Sequence, residues 1–177
     1  MNEEPSPLLG RKEIEDAFRR LGDRLHRRGV VADIYVFGGA AMALAYDSRR
    51  ATRDVDAVFV PHGVVLEEAR AVADELGLPS WWLNEQASAY VSRADDQRRR
   101  HIFDHPGLRV STASAEHLLA MKVLAGRRRD YEDIRVLLRE LDLATVDQVF
   151  ELCAQVFPDE EIPDRVRLRL EDLFGAG

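Results

Sequence analysis

A β-rich run, "ADIYVF", stops at a pair of glycines, Gly38 and Gly39. Helix formers at 40–46 come next, then a polar stretch at 47–53, then "DVDAVFV", which Pro61 ends. This order leaves few folds open. The run predicts a strand that turns into a helix through glycines, followed by a loop and a second strand over 54–60. Within that second strand Asp54 and Asp56 alternate with Val55, Ala57 and Phe59. Strand side chains alternate faces, so the two carboxylates share one side, about 7 Å apart at their α-carbons. Like charges at that spacing repel. A divalent cation between them removes the repulsion, and hard oxygen ligands suit Mg²⁺, which keeps positions open for substrate phosphates. Solvated acids at a strand edge are the plainer alternative.

The glycine pair has two readings as well. Glycines between a strand and a helix let a phosphate approach the backbone, where free N–H groups at the helix N-terminus meet it. An ordinary tight turn uses the same residues. The intervening loop adds Arg50, Thr52 and Arg53, either as phosphate contacts or as exposed side chains. Together, a phosphate cradle and a metal pair at the ends of neighbouring strands make a site for a nucleoside triphosphate.

Elsewhere, Ile14, Phe18, Leu21 and Leu25 predict a helix over 11–28, stopped by Gly29. A helix over 64–76 is closed by "GLP". "WWLNEQASAYV", "RRHIFD" and "LRVSTAS" read as short strands, with "HPG" as a turn. Helices then follow over 115–125, 129–141 and 146–157, with a last one after Pro163. Mixed elements early and helices late predict an α/β (α+β) fold. A small mixed sheet with an N-terminal helix is expected over 1–113, and a helical part packed on it over 114–177.

Hydrophobic residues make up 46% of the 177, which supports a folded core. No stretch approaches the roughly 18 apolar residues of a membrane span. The N-terminal "MNEEPSPLLG" lacks the apolar core of an export signal. Cys153, the single cysteine, lies in the apolar helical pattern "FELCAQVF" and reads as a packed thiol. These features predict a cytoplasmic protein with no membrane partner. The net charge of −7 argues against bulk coating of nucleic acid. Arginines nonetheless cluster at Arg49 and Arg50, at Arg98, Arg99 and Arg100, and at Arg127, Arg128 and Arg129. They form either solvated surface or a local phosphate-binding rim.

Lys122 sits in "LLAMKVLAG", apolar on every side. An unpaired buried ammonium is costly, so Lys122 must reach water or meet an anion. Asp130 and Asp133, at i and i+3, share a helix face. They complement the dipole of that helix, or orient Lys122, Arg127 or an attacking hydroxyl. His101 and His105 fall in a strand-and-turn pattern without a third ligand, and predict no zinc site.

Gly-Gly, a helix and loop, then D-x-D opening an apolar strand resembles the DNA polymerase β-like nucleotidyltransferase superfamily. Lys122 followed by Asp130-x-x-Asp133 makes the chain similar to the small bacterial nucleotidyltransferases of the AbiE-type and MenT-type toxin groups. The likeness covers roughly 36–138. It implies that Gly38 and Gly39 hold the triphosphate, and the loop residues Arg50 and Thr52 are the nucleotide-binding candidates expected beside them. It implies that Asp54 and Asp56 bind Mg²⁺, that Lys122 contacts the nucleotide phosphates, and that Asp130 or Asp133 supports the site. The implied reaction is NTP-dependent nucleotidyl transfer with release of pyrophosphate. The expected acceptor is RNA, the 3′ end of a tRNA; because the net charge repels a polyanion, the clusters at Arg49–Arg50, Arg98–Arg100 and Arg127–Arg129 are expected to converge around the mouth of the site to meet it. The implied setting is a toxin with an antitoxin protein encoded nearby. Gly39 stands where many members carry serine, the lysine-to-D-x-x-D gap is long, and a third carboxylate has only candidates: Glu85, Asp95, Asp96 and Asp104. Two alternatives remain open: transfer to a small molecule of the aminoglycoside kind or to a protein side chain, and a degenerate nucleotide-binding regulatory module.

Overall fold

The computed structural model describes residues 6–47 and 49–175. The first half of the N-terminal stretch read above, and Ser48 in the 47–53 loop, lie outside the described residues. The chain divides into two compact units, Met1–Ala89 with Arg99–Thr112, and Tyr90–Arg98 with Ala113–Gly177. Among the described residues no helix is long and apolar enough to cross a membrane.

The first unit is a five-stranded mixed sheet covered by helices. In chain order it holds α1 (Arg11–Arg27), β1 (Ala32–Phe37), α2 (Gly38–Ala41), β2 (Val55–Val60), α3 (His62–Leu76), β3 (Leu83–Asn84), β4 (Arg100–His105) and β5 (Leu108–Thr112). The strand order is β3-β2-β1-β5-β4. The β1–β2 and β4–β5 pairs are antiparallel, while β1–β5 and β2–β3 are parallel. The sheet is thus the small mixed type that the sequence predicts.

Burial follows the two-residue period. Val55, Ala57 and Phe59 of β2 are buried, whereas Asp56 and Val58 are half-buried. On β1, Ala32, Ile34 and Val36 are buried and Asp33 is exposed. Helix α1 adds Ile14, Phe18, Leu21 and Leu25 to this core. The Phe18 ring lies 6.2 Å from that of Trp82 and 6.0 Å from that of Phe103. The indole N–H of Trp82 donates to the Ala69 carbonyl at 2.8 Å.

Helices α1 and α3 are also joined by ions. Arg24 Nε meets Glu68 at 2.6 Å and Arg28 Nη1 meets it at 3.0 Å. Burial alone raises a carboxyl's pKa, but the hydrogen bonds from Arg28 and Arg24 outweigh it and hold Glu68 below its ordinary value of 4.5. A depressed native value means that the unfolded chain takes up the proton first. The stabilisation is therefore full above about pH 4.5 and is lost as pH falls through the lower native value. Thermal denaturation of wild type and Glu68→Gln should show a stability gap at neutral pH that closes on acidification. A gap independent of pH would remove the ion network as its cause.

The second unit is helical: α4 (Ala115–Ala125), α5 (Tyr131–Glu140), α6 (Val146–Val156) and α7 (Asp164–Gly175). Ser114 caps α4 by accepting from the His117 backbone N–H at 3.2 Å, and Gly126 ends it in the left-handed region at φ 60°. Leu118, Leu119, Ala120 and Val123 of α4 are buried, as are Ile134, Leu137 and Leu138 of α5. Cys153 of α6 is buried too, and that burial pushes its thiol up to about 12, far from a reactive thiolate.

The "WWLNEQASAYV" segment departs from the strand it predicts. Only Leu83 and Asn84 form β3, and a short 3₁₀ turn follows at Ser88–Tyr90. Asn84 ends the strand itself, because its Oδ1 accepts the Gln86 backbone N–H at 3.1 Å. A side chain that serves a backbone group two residues on makes a turn instead of extending a ladder.

Candidate active site

At the end of β1 the backbone turns at Gly38, whose φ is +65°. Side chains rarely tolerate that conformation. A Cβ on Gly38 would also lie 3.2 Å from Asp56 Oδ2. Glycine here lets the turn and the carboxylate approach each other. Asp56 stands opposite Phe37 in the β1–β2 register, so the D-x-D strand brings its second aspartate directly to the start of the glycine turn.

The helix that follows is unusual. Helix α2 runs on into a wider π-helical turn over Met42–Tyr46, and the Asp47 N–H donates to the Met42 carbonyl at 2.7 Å. π-Helical turns are uncommon and often lie beside functional sites. Asp47 opens the polar loop, whose far end is pinned by paired backbone hydrogen bonds between Leu9 and Thr52, at 2.6 and 2.9 Å.

That loop carries the side chains expected near a phosphate. A Cβ on Gly39 would lie 3.1 Å from Thr52 Oγ1 and 3.6 Å from Arg50 Nη2. The Thr52 hydroxyl therefore stands beside the place that a serine at position 39 would fill. It donates to the Asp54 carbonyl at 3.2 Å, while Arg50 Nη1 donates to the Ala51 carbonyl at 2.8 Å. Arg53 is exposed.

Asp54 lies one residue ahead of β2 and is half-buried, like Asp56. Its Oδ2 accepts from Asn84 Nδ2 at 3.0 Å. The four candidates for a third carboxylate are exposed or have other partners. Glu85 pairs with His62 Nε2, and Asp104 is exposed opposite Arg109 in the β4–β5 register. Asp95 is exposed, and Asp96 accepts from the Ser114 backbone N–H at 2.8 Å in the second unit. Among the described residues no three His, Cys, Asp or Glu side chains gather to hold a metal. Asp54 and Asp56 nevertheless fit a divalent cation: they are hard oxygen donors beside a glycine cradle, in number suited to a cation that also takes phosphate oxygens and water.

Lys122, Asp130 and Asp133 come together in the second unit. Lys122 Nζ lies 3.1 Å from Asp130 Oδ1 and 3.0 Å from Asp133 Oδ2, and all three residues are buried. The lysine of the apolar helix thus meets anions, as its burial requires. The arginine clusters are divided between the two units. Arg98 pairs with Glu116 at 2.8 Å in the second unit. Arg100, in the first, stacks over the Tyr46 ring at 4.4 Å. Arg99, Arg127, Arg128 and Arg129 are exposed. Asn84, which bonds Asp54, is not among the residues that the sequence singles out, since nothing in the short strand predicted around "WLNEQ" ties it to an aspartate 30 residues away.

A protein-family model described as "Nucleotidyltransferase of unknown function (DUF6036)" matches residues 13–172. The chain belongs to this family. The match spans both units, so the DUF6036 nucleotidyltransferase takes in the helical second unit with its lysine cluster as well as the glycine turn and the aspartate pair. No curated protein and no solved structure matches the chain.

The glycine turn supplies a direct test of the site. Gly38→Ala is expected to lose about 1–2 kcal/mol from the left-handed backbone alone. The new methyl also presses on Asp56 Oδ2. Nucleotide binding, followed by calorimetry, should weaken by more than the loss in stability explains. Unchanged binding in a folded Gly38→Ala protein would take the turn out of the site.

Proposed function

We propose that this chain is a metal-dependent nucleotidyltransferase that moves a nucleoside monophosphate from an NTP to an acceptor hydroxyl. The observation that carries the reading is the meeting of Gly38 with Asp56 Oδ2 at the mouth of the D-x-D strand, within a chain of nucleotidyltransferase family. Asp54 and Asp56 would hold a divalent cation, which supplies Lewis-acid stabilisation of phosphate charge when bound. The backbone at Gly38 and Gly39, the Thr52 hydroxyl and the Arg50 guanidinium bind and orient the triphosphate. In the reaction the acceptor oxygen forms a bond to the α-phosphorus, the bond to pyrophosphate breaks, and the hydroxyl proton is released. Positioning and charge stabilisation make up most of what such a transfer asks of a protein.

The acceptor in this reading is RNA, and the role that of a toxin restrained by a partner protein. Two things support it: the motif resemblance to the AbiE-type and MenT-type groups, and the exposure of Arg99, Arg127, Arg128 and Arg129 on a chain of net charge −7. The same resemblance gives Lys122 a phosphate contact in addition to its two carboxylates.

Incubation with each labelled nucleoside triphosphate, Mg²⁺ and total RNA, resolved on a gel, tests the proposal. Label should enter small RNA, and entry should fall with added salt through counterion release. Label in no RNA, but in a small molecule or in the protein, would replace the acceptor. No pyrophosphate release with any nucleotide would replace the reaction.

A further inference from the structure

We propose that Asn84 is a positioning residue for the cation site: it fixes the Asp54 carboxylate as a ligand, and it closes the site with an amide where a third carboxylate would otherwise stand. The inference rests on the nucleotidyltransferase reading and adds a residue to it.

Three contacts define the Asn84 side chain, which is 6% exposed. Its Oδ1 accepts the Gln86 backbone N–H at 3.1 Å. Its Nδ2 donates to the Trp81 carbonyl at 3.1 Å and to Asp54 Oδ2 at 3.0 Å. These partners settle the orientation of the amide, because Gln86 offers only a donor and Trp81 only an acceptor. The nitrogen must therefore face Asp54. Each N–H has an acceptor, so the side chain is braced against rotation from within its own turn.

The sheet register adds a second, independent observation. β2 and β3 are parallel, with Val55 opposite Leu83 and Asp56 opposite Asn84. Asn84 is thus the neighbour of Asp56 across the ladder while it bonds to Asp54 through its side chain. One residue is tied to both aspartates, to Asp56 through the backbone register and to Asp54 through its side chain. Asp54 lies just ahead of the strand, where its carbonyl accepts from the Thr52 hydroxyl and the following Val55 N–H donates to the Trp82 carbonyl; its side chain is held by Asn84. An amide donor on Oδ2 confines the carboxylate to one rotamer and leaves Oδ1 as the oxygen for a cation. Partners that orient a metal ligand typically matter by about 10- to 100-fold in affinity.

The choice of amide over acid also matters. A carboxylate at position 84 would put a third negative charge about 3 Å from Asp54 Oδ2. Without a cation that arrangement repels; with one it adds a ligand. Asparagine keeps the shape and the brace but withholds the ligand, so the protein presents two carboxylates to the cation.

The test is a Mn²⁺ titration of the full chain, read by the loss of free Mn²⁺ signal in electron paramagnetic resonance, with no nucleotide present. Wild type and Asp54→Asn come first. If they bind Mn²⁺ equally, the cation site of the proposed function fails, independently of Asn84. If Asp54→Asn weakens binding, Asn84→Ala is expected to weaken it by about tenfold. Asn84→Asp is isosteric and keeps the acceptor for Gln86, and it is expected to bind Mn²⁺ more tightly than wild type by a similar factor. Wild-type affinity in a folded Asn84→Ala protein overturns the positioning role and leaves the proposed function standing. Should Asn84→Ala not fold, Asn84→Ser takes its place, since a serine can still accept the Gln86 N–H but is too short to reach Asp54, and wild-type affinity in it overturns the positioning role instead.

Discussion

Asp56→Asn is expected to abolish nucleotidyl transfer while leaving the fold in place. The substitution keeps the shape of the side chain and removes one of the two negative charges of the D-x-D pair. What is lost is the charge that would bind a cation beside the glycine turn, where Asp56 Oδ2 stands only 3.2 Å from a Cβ built on Gly38. Loss of one preorganised charge-stabilising group typically costs about 100- to 1,000-fold in rate, and loss of a cation ligand should cost no less. Thermal denaturation should stay within about 1 kcal/mol of wild type. Asp54→Asn should behave in nearly the same way. Transfer at wild-type rate by both variants, at the same Mg²⁺ concentration, would dismiss the aspartate pair as the active site.

Lys122→Met should have the largest effect on stability. The lysine holds two buried carboxylates, Asp130 at 3.1 Å and Asp133 at 3.0 Å. Methionine keeps the volume and the apolar surface that α4 buries, but it leaves two acids without their cation. Removing one partner of a buried ion pair typically costs about 3–5 kcal/mol, because a buried charge is left uncompensated. For a chain of this size that is a fall of roughly 6–20 °C in the unfolding midpoint. A fall of under about 2 °C would show that the two aspartates do not depend on Lys122. Calorimetry with a non-hydrolysable triphosphate, well below the midpoint, addresses the phosphate contact separately. Weakened binding supports it, and unchanged binding confines Lys122 to bracing its own unit.

These two variants probe features that the sequence shows with unequal clarity. Helix α4 runs over Ala115–Ala125, the span that its apolar residues mark, because a capping serine and a left-handed glycine bound it in the sequence itself. The alternation of Val55, Ala57 and Phe59 with the aspartates is equally plain, since burial on one face writes a period of two. Lys122 announces that it needs an anion by standing in an apolar helix, although the spacing leaves open which acid it meets.

Other features leave no such mark. The π-helical turn over Met42–Tyr46 arises in "MALAY", whose residues suit an ordinary helix as well. Helix α3 begins at His62, two residues before the predicted start, because Pro61 can sit just outside a helix without disturbing it. Asn84 is the instructive case. Its partners are a carboxylate 30 residues away and two backbone groups of its own turn. Only the register of β3 against β2 turns a polar loop residue into a neighbour of the site.

The route of the chain between the two units has a consequence for inheritance. Tyr90–Arg98 belongs with the helices, Arg99–Thr112 returns to the sheet, and Ala113 leads back to the helices. Ser92 is tied to the Val156 carbonyl and Asp96 to the Ser114 N–H, so the early segment is part of the fabric of the later one. A gene cut once between the units delivers neither whole. A break after Thr112 strands Ser92 and Asp96 without their partners, and a break after Ala89 deprives the sheet of β4 and β5. A single crossover therefore exchanges neither unit whole; a swap of the helical unit needs the Tyr90–Arg98 segment to travel with it.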